Sequence, residues 1–311
     1  MSKPLVVLTA PFLELVAPAI EAQGCEVGRG WALPDADRAR VRALVAAGEF
    51  KLEPAYLETL PSLGLIAVVG VGYDGVDVDW CRSRGIAVAA APAGINAAGV
   101  ADHALGLMLA GWRDLLPGHA AVVSGDWSNS GRSVLRPGLT NKQAGIVGLG
   151  SIGEAVARRC EAFGMRVSWW GPNPKLANWP RAASLVDLAQ ASDVLFVCAK
   201  PTPQNKGLIS AEVIAALGSG GMLVNVARGP LVDEDALIGA LKSGALARAG
   251  PDVFAEEPSP AGRWDGVPNC VLSPHAAGAT QETGMQMVAV AMENVSAFLA
   301  GRPLLTPVSH S

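Results

Sequence analysis

Short apolar runs alternate with amphipathic stretches along most of this chain. Residues 4–9, PLVVLT, are rich in Val and Leu, and 11–24, PFLELVAPAIEAQG, follow with helical spacing and a closing glycine. Residues 65–70, LIAVVG, read as a strand, 76–85, VDVDWCRSRG, as a short amphipathic helix ending at Gly85, and 86–90, IAVAA, as another strand. Strand, helix and strand joined by short turns predict a parallel sheet covered by helices.

The texture changes near Asn96. Residues 97–116, AAGVADHALGLMLAGWRDLL, predict one long helix, apolar around most of its circumference and so buried between layers or subunits. A second alternating set begins at 144–150, AGIVGLG. Its further strands are expected at 165–170, 193–198, 222–226 and 270–272, with helices at about 151–163, 184–190, 210–217 and 233–242. A last amphipathic helix, about 284–300, is free to return to the first set.

Composition narrows the class. Half of the 311 residues are hydrophobic and 17% are charged, which favours two domains with sizeable cores and leaves disorder to the final PVSHS. The net charge of -4 comes with no basic block, which argues against nucleic acid as a partner. Mean hydropathy is +0.31, yet no stretch reaches the roughly 20 apolar residues of a spanning helix. The N-terminal stretch breaks at Pro11 and meets Glu14, so neither a signal peptide nor a membrane association is expected, and a soluble cytoplasmic protein is. Five widely spaced cysteines without a CxxC pair read as small hydrophobes in a reducing compartment, and no metal site is expected.

Gly148-Leu149-Gly150-Ser151-Ile152-Gly153 is a GxGxxG. Alone it is a weak signal in a chain with 36 glycines, but it follows an apolar strand and opens a helix, as a dinucleotide loop requires. Gly148 would allow the tight turn, Gly150 the approach of a pyrophosphate, and Gly153 close packing of helix on strand. The helix N–H groups of Ser151 and Ile152 would then face the phosphates.

Open α/β sheets bind ligands beyond the carboxyl ends of their strands. Three candidates stand there: Arg228 in MLVNVARGPLVDEDAL, Glu256 or Glu257 in PDVFAEEPSP, and His275 in CVLSPHAAGAT. Each has a plainer reading. The arginine could pair on the surface, one glutamate must be a solvated loop residue, and a lone histidine is often a satisfied core residue. Beside a glycine loop, however, the three match the reduction of a 2-oxo acid. Histidine supplies a proton near neutrality. A carboxylate favours its charged form. Arginine offers a planar fork to carboxylate and oxo groups. The small residues after His275 would leave room for substrate and nicotinamide.

The motifs VGYDGVD, GIVGLGSIG, NVARGPLVDEDAL, DVFAEEP and SPHAAGAT, in this order, resemble those of the D-isomer-specific 2-hydroxyacid dehydrogenases, nearest the glyoxylate/hydroxypyruvate reductase branch. The resemblance implies two doubly wound parallel-sheet domains: a Rossmann-type dinucleotide-binding domain over 97–282, inserted in a flavodoxin-like substrate domain of 1–96 and 283–311. It implies a site in the cleft between them, with hinges near Asn96 and Thr283. Arg228 would bind substrate, Glu257 would pair with His275, and His275 would be the acid/base. Backbone N–H groups of Val71 and Gly72 would take the substrate carboxylate. Cofactor contacts would come from Gly148, Gly150, Ser151, Ile152, Gly153, Gly171, Asn173, Lys175, Ala227, Asp252 and Ala277. The 97–116 helix and the following arm, with Trp112 and Trp127, would form a two-fold homodimer interface. Pro251 departs from the family pattern and would put its strand at an edge or a bulge, weakening the contact of Asp252.

The implied activity is NAD(P)H-dependent reduction of small 2-oxo acids, glyoxylate and hydroxypyruvate first. Bulkier 2-keto acids, such as phenylpyruvate or 2-ketogluconate, are the rival substrates, with residues 48–52, Tyr73 and Trp264 shaping that choice. A non-catalytic NAD-sensing interaction protein is the rival class, disfavoured by the lack of extended regulatory tails. For the cofactor, the family's ribose-binding acid lies 18 residues past the last glycine, which here is Gly171. No Asp or Glu stands between Val167 and Arg181, while Lys175 and Arg181 lie just beyond Gly171. NADPH is therefore expected to be preferred over NADH, with NAD possible.

Overall fold

A computed structural model describes residues 3–48, 50–127 and 135–308. Glu49 of the GEFKL stretch and the last three residues of the tail lie outside the described residues. The chain divides into two compact units, one of 1–96 with 280–311 and the other of 97–279. The second crossing falls at 279/280 and not at 282/283. Helix α10, Gln281–Leu299 (α1–α9 are given below), is one rigid element capped by Thr280, whose Oγ1 accepts from Thr283 N at 3.1 Å.

The first unit holds strands β1 (Leu5–Leu8), β2 (Glu26–Arg29), β3 (Val41–Ala46), β4 (Leu65–Val68) and β5 (Ala87–Ala89) in the parallel order β2-β1-β3-β4-β5. This is the flavodoxin-like order. β1, β3 and β4 are buried almost throughout and read as continuous apolar runs, as strands covered on both faces do. The helical stretch 11–24 is split by Pro18 into a 3₁₀ segment, Pro11–Val16, and α1, Ala17–Ala22. Helices α2 (Pro54–Leu57) and α3 (Val78–Ser83) complete the crossovers. On one face, Ala291, Met292 and Val295 of α10 join Val6, Val45 and Leu65 in a single core. In the tail, the Val308 N–H donates to Val88 O at 2.8 Å.

The second unit begins with α4, Ala97–Trp112, followed by α5, Leu115–Ser124. The single helix expected over 97–116 stops at Trp112, because Asp114 turns left-handed at φ 51°. Nine of the sixteen α4 residues are buried within this unit, against strands of its own sheet. Strands β6 (Gln143–Val147), β7 (Arg166–Trp170), β8 (Val194–Val197), β9 (Met222–Asn225) and β10 (Arg248–Pro251) run parallel in the order β10-β9-β8-β6-β7. Helices α6 (Ser151–Ala162), α7 (Leu185–Gln190), α8 (Ala211–Leu217) and α9 (Glu234–Ser243) connect them. A parallel bridge from Trp169 to Arg181 adds a rudimentary strand outside β7, which completes the Rossmann order around β6.

The strand expected at 270–272 is only a bridge, Ala249 to Cys270. Pro251 explains this. Ala249 N donates to Asn269 O and Ala249 O accepts from Val271 N, so the next donor in the ladder would be the N–H that Pro251 lacks. All five cysteines are free. Burial pushes the Cys81 thiol up to about 11 and Cys160 up to about 12, which leaves them inert. Among the described residues no helix is long and apolar enough to cross a membrane.

Candidate active site

The β6–α6 turn uses its three glycines for three different reasons. Gly148 has φ +89°, and a Cβ there would lie 2.5 Å from Ala199 Cα. A Cβ on Gly153 would fall inside the Gly148 carbonyl, so helix and strand could not close on each other. A Cβ on Gly150 would meet nothing within 4 Å: the space above it is open. Gly150 caps α6 without a side-chain hydrogen bond, so the first helical N–H groups, at Ser151 and Ile152, point into that space uncapped. A phosphate fits there, where any side chain would stand in its way.

Beyond β9, Asn225 anchors the next loop. It is 2% exposed; its Nδ2 donates to Arg228 O at 3.1 Å and its Oδ1 accepts from Ala227 N at 3.1 Å. Arg228 Nη1 donates to Ala227 O at 2.8 Å. Gly229 follows, and a Cβ on it would overlap the Phe254 carbonyl, so only glycine lets the two loops touch. The 254–257 loop is held in turn by Glu234, whose Oε2 accepts from Ala255 N at 2.9 Å and whose Oε1 accepts from Arg263 Nε at 2.8 Å.

Both glutamates stand on an exposed loop, and Glu257 is the one whose carboxylate reaches His275. Glu257 Oε1 accepts from Phe254 N at 2.9 Å, and Oε2 lies 2.6 Å from His275 Nδ1. A carboxylate only accepts, so the Nδ1 proton belongs to His275 and Nε2 is the nitrogen left for a substrate. The Glu257 hydrogen bond lifts the His275 ring above its ordinary value, against burial and the Arg228 charge. Burial alone would raise the Glu257 carboxyl, but the His275 ring, the Phe254 N–H and the Arg228 charge outweigh it and hold it below its ordinary value.

His275 itself has φ 52°, a left-handed conformation that costs of order 1–2 kcal/mol outside glycine. Asp252, 1% exposed, holds it there. Its carbonyl accepts from His275 N at 2.7 Å, and its two carboxylate oxygens accept from Ala276 N and Ala277 N, each at 2.9 Å. On the other side, His103 Nε2 lies 2.7 Å from Ser273 Oγ and 3.4 Å from Asp252 Oδ1. Of the expected cofactor contacts, Asp252 and Ala277 are joined to each other by the bond from the Ala277 N–H to Asp252 Oδ2. Pro251 does not displace Asp252, whose N–H still donates to Asn225 O at 2.9 Å.

The structure therefore brings Arg228, Glu257 and His275 together at adjoining strand ends of one sheet, and Gly148, Gly150, Ser151, Ile152 and Gly153 at the end of β6 in the same sheet. Gly171 is buried at the end of β7, and Asn173 and Lys175 lie exposed in the turn after it. Trp264 is not a free pocket wall: it stacks edge-on against Phe254 at 5.7 Å and packs on the core below. In the other unit, Val71 and Gly72 follow β4. No hydrogen bond among the described residues takes their N–H groups, and a Cβ on Gly48 would overlap the Gly72 carbonyl. Asn225, Glu234 and His103 escaped the sequence reading. Asn225 alone left a trace, as the polar residue in the apolar run MLVNV.

The family model for the D-isomer specific 2-hydroxyacid dehydrogenase NAD binding domain matches residues 105–277. The chain belongs to the D-isomer specific 2-hydroxyacid dehydrogenases. Within that family it is 39% identical over 269 residues to hydroxyphenylpyruvate reductase of Plectranthus scutellarioides, covering 86% of this chain and 85% of that protein. It is 37% identical over 268 residues to a glyoxylate/hydroxypyruvate reductase of Arabidopsis thaliana, covering 86% and 83%. The NADPH-dependent glyoxylate/hydroxypyruvate reductase of Sinorhizobium meliloti, solved with NADP and malonate, superposes with a TM-score of 0.89 at 34% identity, over 99% of this chain and 97% of that one. As a 2-hydroxyacid dehydrogenase the chain has its His–Glu pair and glycine loop in the one domain that the family model describes.

Proposed function

We propose that the protein reduces small 2-oxo acids, glyoxylate and hydroxypyruvate foremost, to 2-hydroxy acids. The observation that carries this is the His275–Glu257 hydrogen bond with Arg228 close enough to be felt by both groups. When bound, a reduced nicotinamide dinucleotide supplies the hydride for the substrate carbonyl carbon. Arg228 orients the substrate carboxylate and oxo group by its planar fork. His275 Nε2 gives its proton to the oxo oxygen as that oxygen becomes a hydroxyl, and Glu257 keeps the ring charged and oriented until then. Backbone N–H groups of Val71 and Gly72 take the substrate carboxylate. In this reading the unit of 97–279 serves the cofactor and that of 1–96 with 280–311 serves the substrate.

The cofactor reading is NADPH before NADH, with the pyrophosphate over Gly150 and the adenosine ribose at the β7 turn of Gly171, Asn173 and Lys175. The absence of a carboxylate in that turn supports it, as does the cofactor of the Sinorhizobium meliloti relative. A second substrate reading has one observation in its favour. Phe12, after β1, and Phe50, after β3, are both about half exposed, and their rings stack tilted at 5.8 Å at the β1/β3 switch point. That platform suits an aryl side chain, as does the likeness to hydroxyphenylpyruvate reductase.

We also read the protein as a cytoplasmic homodimer. Helix α5 has no buried residue yet exposes Leu115, Leu116, Val122 and Val123, with Trp127 beyond it, an apolar surface that a solvated helix does not need. Trp112 has no part in it: it is 2% exposed, with its Nε1 donating to Gly138 O at 3.3 Å.

The testing experiment is NADPH oxidation across glyoxylate, hydroxypyruvate, phenylpyruvate, 4-hydroxyphenylpyruvate and 2-ketogluconate. The highest kcat/KM is expected for glyoxylate or hydroxypyruvate. A best substrate among the aryl acids would replace the first reading by the second, and no turnover with any of them would refute both.

A further inference from the structure

No Asp or Glu stands in the chain between Val167 and Arg181, so the β7 turn has no carboxylate of its own. The fold brings one there from another element. Glu154, in the first turn of α6 and directly after Gly153, accepts a hydrogen bond on Oε1 from Lys175 Nζ at 2.7 Å. Its Oε2 faces Arg158 Nη1, one turn along the helix, at 3.7 Å. Lys175 is thus already engaged. Arg181, the other nearby cation, builds the turn: it donates to Gly171 O at 2.7 Å and lies over the Trp169 ring at 5.8 Å. The Glu154 carboxyl is held below its ordinary value, chiefly by the Lys175 hydrogen bond, so it is a carboxylate throughout the neutral range.

We propose that Glu154 is a cofactor-specificity residue: by holding Lys175, it limits the advantage of a 2′-phosphate over a 2′-hydroxyl at the β7 turn. The inference rests on the cofactor reading above. A 2′-phosphate, carrying roughly 1.5 to 2 negative charges at neutral pH, must compete with Glu154 for the same ammonium and meets the carboxylate beside it. A 2′-hydroxyl carries no charge and can donate a hydrogen bond to Glu154, the part that an acid at the strand end plays in NAD-binding relatives of this fold. One carboxylate therefore disfavours one cofactor and favours the other. Both side chains are about two-fifths exposed, so salt and water screen the effect and it is a matter of several-fold.

The test is calorimetric titration of NADP⁺ and NAD⁺ into the cofactor-free protein, at low and high salt, for the wild type, Glu154→Gln, Lys175→Gln and the double variant. Glutamine is nearly isosteric with Glu154 at a partly exposed helix position, so folding should be kept, as circular dichroism will check. Glu154→Gln should raise the ratio Kd(NAD⁺)/Kd(NADP⁺) about two- to five-fold at low salt and less at high salt. In the Lys175→Gln background the same change should move the ratio clearly less, because only the carboxylate's own repulsion of the 2′-phosphate is then removed. The inference is overturned if Glu154→Gln leaves the ratio unchanged, or shifts it equally without Lys175. A wild type that binds NAD⁺ more tightly, but in which Glu154→Gln still acts through Lys175, would refute the NADPH preference and support this inference. A wild type that prefers NADP⁺ with no effect of Glu154→Gln would do the reverse.

Discussion

His275 sits in a left-handed turn because Asp252 supplies acceptors for three successive N–H groups, at 275, 276 and 277. Its charge is set by Glu257. These are separate tasks, positioning and ionisation, and they separate in a pH profile. Reduction needs the proton on His275, whose folded value is raised, so activity extends to higher pH than an ordinary histidine would allow and falls as pH rises through that value. Glu257→Gln removes the largest cause of the shift, and the alkaline limb of kcat/KM should move to lower pH. A profile identical to wild type would leave Glu257 a structural role only. The same linkage acts on stability. The raised His275 contributes fully below its unfolded value and is lost as pH rises through the folded one. The lowered Glu257 contributes fully above its unfolded value and is lost as pH falls through the folded one. The pair therefore stabilises most between the ordinary carboxylate and imidazole ranges.

At the scale of elements, the β6–α6 turn makes a contrast between two glycines three residues apart in the chain. Gly153→Ala puts a methyl into the Gly148 carbonyl and should cost about 1–3 kcal/mol in thermal unfolding. Gly150→Ala meets nothing in the protein and should unfold at the wild-type temperature, yet bind NADP⁺ at least ~10-fold more weakly in calorimetry, about 1.4 kcal/mol. Equal affinity in the Gly150 variant would remove the turn from the cofactor site. Most elements were legible in the sequence because their apolar runs are buried on both faces. β2 and β3 were not: EVGR is an edge strand with two exposed residues and no apolar run, and VRALVA, though buried, is interrupted by the exposed Arg42. β10, which ends at Pro251, stands last in its sheet, the edge position its proline implied, and the same proline cut the expected 270–272 strand to a bridge. Arg228, Glu257 and His275 were legible as polar residues just past apolar strands. Asn225, Glu234 and Glu154 were not, because their role lies in partners the fold supplies, Glu154 meeting a lysine 21 residues away.

For the whole molecule, the exposed apolar helix α5 bears on assembly. Leu116 and Val123 are 54% and 74% exposed and make no part of their own core. Replacing both with Asp should leave the unfolding temperature of the subunit nearly unchanged and convert a dimer to a monomer in sedimentation velocity. A wild type that sediments as a monomer would show that this surface serves something else. The central claim concerns chemistry, and His275→Asn tests it most directly. Asparagine tolerates the left-handed turn but carries no titrating proton. With the best 2-oxo acid and saturating NADPH, the variant should bind NADP⁺ within about twofold of wild type in calorimetry while kcat falls by at least ~10². If it kept more than about a tenth of the wild-type kcat, His275 would not be the proton donor.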